Sequence, residues 1–241
     1  DIEIEGLCID SRCAKKNDMY FCMEGMVHDG HAFIDDVIDA GVKCIVHSKP
    51  VENMRKGVAY IQVENVNRTL NRVASLFYGY PSRKLKVFGV TGTNGKSTIT
   101  SIIRDVYSHF ESCGYIGTIS ISYEDVTLPP SLTTPDAILL HKTMKDMVDA
   151  GVKAVALEVS SHGLELGRVQ SVDFDVAIFS NLTYDHLDFH GTIENYFEAK
   201  KKLFTNLKPE GVAVLNADDA YMEQLKEATK ARVVTYGIEH E

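Results

Sequence analysis

A glycine-punctuated segment, residues 86–98, carries the clearest chemical signal in the sequence. It reads K-V-F-G-V-T-G-T-N-G-K-S-T, a short apolar run followed by a turn and a helix-forming stretch. Gly92 and Gly95 allow the backbone to curl, so that successive N–H groups face an anion beside the positive end of the following helix. In such a loop Lys96 reaches the terminal phosphates and the Ser97 hydroxyl coordinates Mg²⁺. The segment therefore predicts nucleotide binding.

A carboxylate ends the apolar run A-L-E-V-S-S-H-G further along the chain. An acid at the end of a strand that faces a phosphate loop can hold Mg²⁺, so Glu158 is a candidate metal ligand; a helix cap or surface acid is the alternative. Ser160, Ser161 and His162 follow it, but the glycine of a nucleophile elbow is missing two residues before Ser160. These hydroxyls are predicted to bind substrate or to cap a turn.

Three more segments carry polar groups whose role the residues alone leave open. The segment N-L-T-Y-D-H-L-D-F-H-G, which begins at Asn181, holds two histidines and two aspartates within six residues, a combination that favours metal or phosphate contact. Residues 196–204 have the spacing of an amphipathic helix with a solvated basic face. The T-T-P-D turn at Thr133 starts a helix whose first N–H groups either bind an anion or are simply capped.

Composition excludes several classes of function. The chain has 241 residues and a net charge of −9, which argues against a nucleic-acid partner because phosphate backbones require a basic face. Its five cysteines form no C-x-x-C pair, as expected of thiols in a reducing cytoplasm. No apolar run approaches the roughly 18 residues of a membrane span, and the acidic first residues do not resemble a signal peptide. We expect a cytoplasmic monomer without membrane or nucleic-acid partners.

Short apolar strands alternate with helical segments over most of the chain. Residues 1–81 show the pattern of a small α/β unit, and the turn at 78–82 predicts the boundary of a second domain, 82–241. Near-continuous apolar strands in the second domain predict a mostly parallel sheet with helices on both faces and a ligand crevice at the carboxyl ends of the strands. The stretch 118–128 predicts a β-excursion near the nucleotide. The predicted strands are 20–23, 44–46, 59–63, 85–90, 154–159, 176–180, 212–216 and 233–236, and the predicted helices are 33–40, 66–77, 97–110, 135–150, 193–207 and 219–229.

In their order and spacing, these polar segments resemble those of the Mur ligases. The likeness is carried by T-G-T-N-G-K-S-T, T-T-P-D-A, A-L-E-V-S-S-H-G-L-E-L-G-R-V, N-L-T-Y-D-H-L-D-F-H-G-T and Y-F-E-A-K-K-K-L-F. The amino-terminal C-I-D-S-R, F-C-M-E-G and H-D-G-H-A-F-I resemble that family's uridine-binding domain. The likeness covers essentially the whole chain and is to the MurE type. Val90, where the common G-x4-G-K-[ST] pattern has glycine, fits the family's own G-T-N-G-K-[ST] form.

The resemblance implies roles for single residues around the nucleotide. The implied ATP-binding residues are Gly92, Thr93, Asn94, Gly95, Lys96, Ser97 and Thr98. The implied catalytic residues are Lys96, Glu158, His186 and Lys200, and the implied ligands of two Mg²⁺ ions are Ser97, Glu158, His186 and Lys200. Lys200, in the Y-x-x-A-K motif, is implied to be carbamylated by CO₂, which makes it an anionic ligand and reverses the interpretation of its helix as a solvated face.

The resemblance also implies two groups of substrate-binding residues. The uridine end is implied to meet Ser11, Arg12, Met26, Val27 and His28. The muramoyl dipeptide and its phosphates are implied to meet Thr133, Thr134, Asp136, Ser160 and Arg168. Some relatives have glutamine where this chain has Leu166, so no contact is expected there.

The implied activity is ATP-dependent, ADP-forming ligation in peptidoglycan synthesis. A ligase of this type adds meso-diaminopimelate or L-lysine to UDP-N-acetylmuramoyl-L-alanyl-D-glutamate through an acyl phosphate, and the sequence does not choose between the two amino acids. The resemblance further implies that the chain stops inside the ATP-binding domain, without the family's carboxy-terminal domain, and that this fragment does not turn over. The alternatives are a P-loop GTPase-like switch, although its N-K-x-D motif is missing, and a non-catalytic UDP-sugar or nucleotide-binding module.

Overall fold

The computed structural model describes residues 2–25, 28–130 and 132–240. The chain divides into two compact units, Asp1–Ala74 (unit 1) and Ser75–Glu241 (unit 2). The division falls inside the helix Val66–Phe77, and the sequence-based boundary after residue 81 lies in the short 3₁₀ helix Pro81–Lys84 that follows it. Among the residues described, no helix combines the length and the apolar character that crossing a bilayer requires.

The described part of unit 1 contains a four-stranded, fully parallel sheet. Its strands lie in chain order: β1 (Gly6–Cys8), β2 (Asp18–Phe21), β3 (Cys44–His47) and β4 (Ala59–Gln62). Its helices are α1 (Ile34–Asp39) and α2 (Val66–Phe77), the second of which crosses the division between the units. Tyr20, Val37 and Ile45 are buried together in its core, because the apolar faces of β2, β3 and α1 meet there. The predicted strands 20–23, 44–46 and 59–63 correspond to β2, β3 and β4.

Unit 2 is built on an eight-stranded sheet within its described residues. The strands are β5 (Lys86–Thr91), β6 (Cys113–Ile116), β7 (Ile121–Tyr123), β8 (Val126–Leu128), β9 (Ala154–Glu158), β10 (Val176–Phe179), β11 (Val212–Asn216) and β12 (Arg232–Tyr236). Their order is β12-β11-β10-β5-β9-β6-β7-β8, parallel from β12 to β6 and antiparallel for β7 and β8. The helices are α3 (Lys96–Tyr107), α4 (Ala137–Asp149), α5 (Ser161–Glu165), α6 (Leu187–His190), α7 (Ile193–Thr205) and α8 (Met222–Ala228). The predicted, mostly parallel α/β fold is confirmed.

Strand β9 shows why the sheet needs helices on both faces. All five of its residues are buried. Val155 and Leu157 pack in a cluster with side chains of α4, whereas Ala154 and Ala156 pack in a separate cluster with side chains of α3. Successive side chains of a strand point to opposite faces, so a strand covered on both sides must be apolar throughout. This is the pattern that the sequence shows at 154–157.

Several elements of unit 2 differ from the sequence-based prediction in extent or existence. The strand β6 and the helices α5 and α6 were not predicted, since each has only four or five residues and carries too little periodicity. Helix α8 begins at Met222 rather than residue 219, because the Asp219 carboxylate accepts hydrogen bonds from the backbone of Tyr221 and Leu182 in the preceding turn. The predicted excursion at 118–128 corresponds to the hairpin of β7 and β8.

The register of the central strands places three strand ends side by side. Val90 of β5 pairs with Glu158 of β9, and Thr91 of β5 pairs with Phe179 of β10. The loops that follow β5, β9 and β10 therefore leave the sheet at the same edge. In an open parallel sheet, this edge is where ligands bind.

Candidate functional site

The loop between β5 and α3 has the backbone of a phosphate cradle. Gly92 has φ +149°, and a Cβ atom there would lie 1.9 Å from the Ser180 hydroxyl oxygen, so only glycine fits. Gly95 caps the start of α3 with φ +85°. The Asn94 N–H donates to Asn181 Oδ1 at 3.0 Å, and the Ser180 hydroxyl donates to the Asn94 carbonyl at 2.6 Å. The segment after β10 thus holds the loop in its curled form.

Lys96 lies across this loop rather than in solvent. Its Nζ donates to the carbonyl oxygens of Gly92 and Thr93 at 3.0 and 2.8 Å. Burial lowers the pKa of this ammonium group, and the charge of Glu158 opposes that effect. The positive charge is therefore held beside the N-terminus of α3, where an anionic ligand would be stabilised by both.

Glu158, at the end of β9, is fully buried and surrounded by hydrogen-bond donors. The Ser97 hydroxyl donates to its Oε2 at 2.9 Å, and the Thr118 hydroxyl donates to the same oxygen at 3.2 Å. Its Oε1 accepts from the Thr118 N–H at 2.9 Å and from the Tyr115 hydroxyl. Burial and the neighbouring carboxylate raise the pKa of the Tyr115 phenol, which keeps it protonated and able to donate. The Ser97 and Glu158 oxygens therefore lie next to each other, and oxygen atoms are the ligands that Mg²⁺ prefers.

Lys200, on α7, is buried to 1% exposure and aims at the phosphate loop. Its Nζ donates to the Gly92 carbonyl at 2.8 Å and lies 4.3 Å from the centre of the Tyr196 ring. Burial lowers the pKa of this amine well below its usual range. The solvated face of the helix consists instead of Lys201 and Lys202, which pair with glutamates at the surface. The residue-based interpretation of 196–204 as a solvated helix is therefore wrong for Lys200.

His186 stands in a group of aromatic rings beside Lys200. It has a left-handed backbone, with φ +53°, just before α6. Its ring lies edge-on to His162 and Tyr196, with centroid distances of 5.0 and 5.9 Å. His190 lies 5.6 Å from His162, and its buried Nε2 has no hydrogen-bond partner among the residues described. Burial lowers the pKa values of His162 and His190, so these two rings favour the neutral form.

These groups open into one cavity of about 480 Å³. The cavity brings together most of the predicted unit 2 site residues: Thr93, Asn94, Gly95, Lys96, Ser97, Thr98, Thr133, Glu158, Ser160, Arg168, His186 and Lys200. It is also lined by Ser161, whose hydroxyl was predicted to bind substrate or cap a turn, and by four residues for which no site role was predicted: Thr118, Leu132, His162 and Tyr196. The lining combines cationic nitrogens, hydroxyls and one carboxylate, which suits a polyphosphate with a divalent cation.

Two further predicted site residues, Thr134 and Asp136, do not line the cavity but make hydrogen bonds within the protein. The buried Thr134 hydroxyl donates to the Glu158 carbonyl at 2.8 Å and accepts from the Ser160 N–H at 2.9 Å. Arg168 donates to the Thr134 carbonyl at 3.0 Å. Asp136 caps α4 by accepting from the N–H groups of its first turn at 2.9 and 3.1 Å. The cap that the T-T-P-D turn left as one alternative is present, with Asp136 as the capping residue.

The predicted uridine residues of unit 1 lie near its surface where the structure describes them. Ser11 and Arg12 form a short 3₁₀ helix with Cys13, and the Arg12 side chain is 86% exposed and paired with Asp10 at 2.6 Å. His28 is exposed. Met26 and Val27 lie outside the described residues.

The segment that follows His28 is fixed by a charged network. The His31 Nε2 accepts from the Ser48 N–H at 3.1 Å, so its Nδ1 carries the proton and donates to Asp29 at 2.6 Å. The Ser48 hydroxyl donates to Glu24 at 2.8 Å, and Lys49 pairs with both acids. The Ser48 hydroxyl also lies 3.4 Å from His31 Nε2, but its shorter hydrogen bond is the one to Glu24, so this Asp-His-Ser arrangement favours donation to the carboxylate over activation by the imidazole.

Family models match both units. Residues 90–241 match the Mur ligase middle domain, and residues 3–78 match a model described as Mur ligase family, catalytic domain. The chain belongs to the Mur ligase family.

Individual Mur ligases resemble this chain over almost its whole length. It is 44% identical to the UDP-N-acetylmuramoyl-L-alanyl-D-glutamate–2,6-diaminopimelate ligase of Lactiplantibacillus plantarum, over 99% of this chain and 49% of that protein. It is 40% identical to the corresponding L-lysine ligase of Staphylococcus epidermidis, over 100% of this chain and 50% of that protein. A solved structure of a 2,6-diaminopimelate ligase has a TM-score of 0.83 at 29% identity, covering 99% of this chain and 49% of the other. The predicted likeness to MurE-type ligases is confirmed, and the chain spans about half the length of these curated relatives.

Tyr115 and Tyr196 are two contacts of this site to which the sequence analysis assigned no role. Tyr115 lies on β6, which was not predicted, so nothing placed it beside Glu158. For Tyr196 the spacing of residues 196–204 predicts only a place on an amphipathic helix, yet it is fully buried and its hydroxyl lies 3.2 Å from the Thr93 hydroxyl. The signal that could have revealed its role is its spacing: Tyr196 lies four positions before Lys200 and therefore on the same face of the helix.

Proposed function

We propose that this Mur ligase chain acts in the ATP-dependent addition of the third amino acid to UDP-N-acetylmuramoyl-L-alanyl-D-glutamate, as the MurE-type relatives are named for doing. The convergence of the phosphate loop, the Ser97–Glu158 pair and the buried Lys200 on one cavity carries the proposal. The named relatives use diaminopimelate and L-lysine, and the proposed incoming substrate is an amino acid of that class. We place the reaction in the cytoplasm, with the chain acting as a monomer.

In this proposal, the residues of the cavity hold two anions together. The loop N–H groups and Lys96 bind the triphosphate of ATP, and Thr133, Ser160 and Arg168 face the muramoyl dipeptide. The dipeptide carboxylate attacks the γ-phosphorus of ATP, which releases ADP and gives an acyl phosphate. The incoming amine then attacks the acyl carbon, expels phosphate and loses a proton to give the amide. Held cations are needed because a carboxylate and a triphosphate repel each other. The uridine nucleotide that carries the dipeptide supplies binding energy that does not come from the reacting carboxylate itself. The residues of unit 1 proposed to contact this nucleotide are Ser11, Arg12, Met26, Val27 and His28.

The donor set fits Mg²⁺ at the position of Ser97 and Glu158. Their oxygens are 2.9 Å apart at the edge of the phosphate loop. When bound there, Mg²⁺ would neutralise phosphate charge and orient the triphosphate.

A second ion needs more anionic charge than the side chains supply. Across the described ranges, no group of three or more histidine, cysteine, aspartate or glutamate side chains is arranged to hold a metal. We propose that Lys200, as a carbamate, supplies that charge and holds the second ion with His186 and Glu158. Its burial supports this, because a desolvated amine is held in the neutral form that adds CO₂.

Titration with ATP and Mg²⁺ tests the ATP-binding part of the proposal. The chain should bind ATP more tightly than GTP, and Lys96→Ala should weaken ATP binding at least ~10-fold, since a charge-assisted contact to phosphate is worth roughly 1.5–3 kcal/mol. Lys86→Ala, an exposed lysine at the start of β5, is the matched control and should bind normally. A preference for GTP would favour the switch alternative, and tight binding of the UDP-linked dipeptide without any effect of Mg²⁺ and ATP would favour the non-catalytic module.

Native mass spectrometry tests the proposed carbamate. The chain kept in bicarbonate should carry the mass of one CO₂, and Lys200→Ala should lose it. Lys201→Ala, one residue further and at the surface, should keep it. A CO₂ adduct that survives Lys200→Ala would refute the assignment.

A further inference from the structure

Tyr115 is a buried phenol, and its hydroxyl makes a hydrogen bond at the base of the site. It lies on β6, next to β9, and is 2% exposed. Its hydroxyl donates to Glu158 Oε1, and Glu158 itself is fully buried. A tyrosine that is used only for packing can be replaced by an apolar residue, whereas a buried hydroxyl that meets a carboxylate makes a charge-assisted hydrogen bond.

The two oxygens of Glu158 have different partners. Oε1 is held from the strand side by the Tyr115 hydroxyl and by the Thr118 N–H at 2.9 Å. Oε2 accepts from two hydroxyls at the cavity, Ser97 at 2.9 Å and Thr118 at 3.2 Å. The hydrogen bonds to Oε1 come from a buried ring and from the main chain, so they fix the rotation of the carboxylate. They leave Oε2 as the oxygen that faces the phosphate loop.

Gly117 keeps the space for this pair free. A Cβ atom on Gly117 would lie 2.2 Å from Glu158 Oε1 and 2.6 Å from the Tyr115 hydroxyl. Contacts under 3 Å force one of the two groups to move. Because Gly117 has no side chain, the backbone between β6 and β7 can pass close to the hydrogen-bonded pair of Tyr115 and Glu158.

We propose that Tyr115 is a positioning residue: by occupying Glu158 Oε1 it presents Oε2 alone, in a fixed direction, to a divalent cation beside Ser97. The inference rests on the proposed function of this site. Partners of metal ligands of this kind typically change metal affinity 10- to 100-fold when they are removed. Tyr115 acts through Glu158, so its effect should fall on the cation and not on the nucleotide itself.

Electron paramagnetic resonance of free Mn²⁺ tests the inference on the whole chain. Mn²⁺ replaces Mg²⁺ at oxygen sites and is counted directly in solution. In the presence of ATP, Tyr115→Phe should bind Mn²⁺ about 10- to 100-fold more weakly than the wild type. The affinity for ATP measured in EDTA should change by less than ~2-fold, since the phosphate loop is untouched. Tyr123→Phe, on β7 beside a different cavity, should match the wild type in both measurements.

Gly117→Ala provides a second variant that leaves the phenol in place. It should weaken Mn²⁺ binding in the same way, because the added methyl group displaces the bonded pair. Unchanged Mn²⁺ affinity in Tyr115→Phe would overturn the inference, and so would an equal loss of Mn²⁺ and metal-free ATP affinity, which indicates a general structural role. A wild-type chain that binds neither ATP nor Mn²⁺ with ATP would instead refute the proposed function, and the inference with it.

Discussion

At the scale of single residues, His141 of α4 shows how strongly burial acts on a titratable group. It is fully buried, and neither ring nitrogen has a hydrogen-bond partner among the described residues. Burial lowers its pKa from 6.5 to about 4, and the charge of Asp173 opposes this only in part. A neutral imidazole without partners is already unfavourable, and a charged one is more so.

The stability of unit 2 should therefore fall in mild acid because of His141. The folded pKa lies below the ordinary value, so the unfolded state takes up the proton first, and stability present above pH 6.5 is lost as the pH falls towards 4. The loss should reach about 2 kcal/mol by pH 5. Urea unfolding at pH 7.5 and 5 measures it, and His141→Leu should remove that part of the difference. His109→Gln, at an exposed histidine, is the control and should keep the wild-type pH dependence. If His141→Leu loses as much stability between pH 7.5 and 5 as the wild type, the assignment to His141 is contradicted.

The cap of α4 is also a single-residue effect, at Asp136. Asp136→Ala leaves N–H groups of the first turn without their acceptor and should lower the free energy of unfolding by about 1 kcal/mol. Asp136→Asn keeps an acceptor oxygen and should lose less. Asp146→Ala, which removes a surface pair with Lys142 on the same helix, should cost about 0.5 kcal/mol or less. If Asp136→Ala unfolds like the wild type but binds the dipeptide substrate poorly, Asp136 acts on the ligand and not on the helix.

At the scale of elements, the phosphate loop depends on Gly92 for space as well as for backbone freedom. Gly92→Ala would place a Cβ against Ser180 Oγ and against the Asn181 backbone, and should destabilise unit 2 by more than 2 kcal/mol while abolishing ATP binding. Gly151→Ala is the matched control, since it has φ +84° but open space around it. It should cost only the backbone strain, about 1–2 kcal/mol, and keep ATP binding. Chemical denaturation and nucleotide titration of both variants separate the two effects.

Element length and partner distance decide how much of this molecule could be predicted from its sequence. β9 is apolar at four successive positions, so its burial on both faces could be read directly. β6 has four residues and no alternation, so neither the strand nor the contact of Tyr115 with Glu158, 43 positions away, left a local signal. The sequence correctly predicts that Lys200 lies on a helix, but a lysine on the polar face of a helix is normally predicted to be exposed to solvent. Only the packing of α7 against the loop after β5, across 108 positions, shows it to be buried.

At the scale of the whole molecule, the proposed ligands separate by unit. Every residue proposed to hold ATP or a metal ion lies in unit 2, and Ser11, Arg12 and His28 of the proposed uridine site lie in unit 1. A ligand that binds only the folded form of one unit stabilises that unit by an amount set by its concentration relative to its Kd. Each ligand should thus slow amide hydrogen exchange mainly in the unit that binds it.

Amide hydrogen exchange followed by mass spectrometry measures this change in the exchange rate, peptide by peptide. With Mg²⁺ and ATP at about 100 times the Kd, amides of β5, β9 and α7 that exchange through opening of the site should exchange up to ~100-fold more slowly, which corresponds to about 2.7 kcal/mol. Peptides from β2 and β3 should not change, because no proposed ATP contact lies in unit 1, whereas UDP should slow exchange there. Lys96→Ala should remove the effect of ATP and leave that of UDP. Equal slowing of β2, β3 and β9 by ATP would show that the two ligands do not act on separate units.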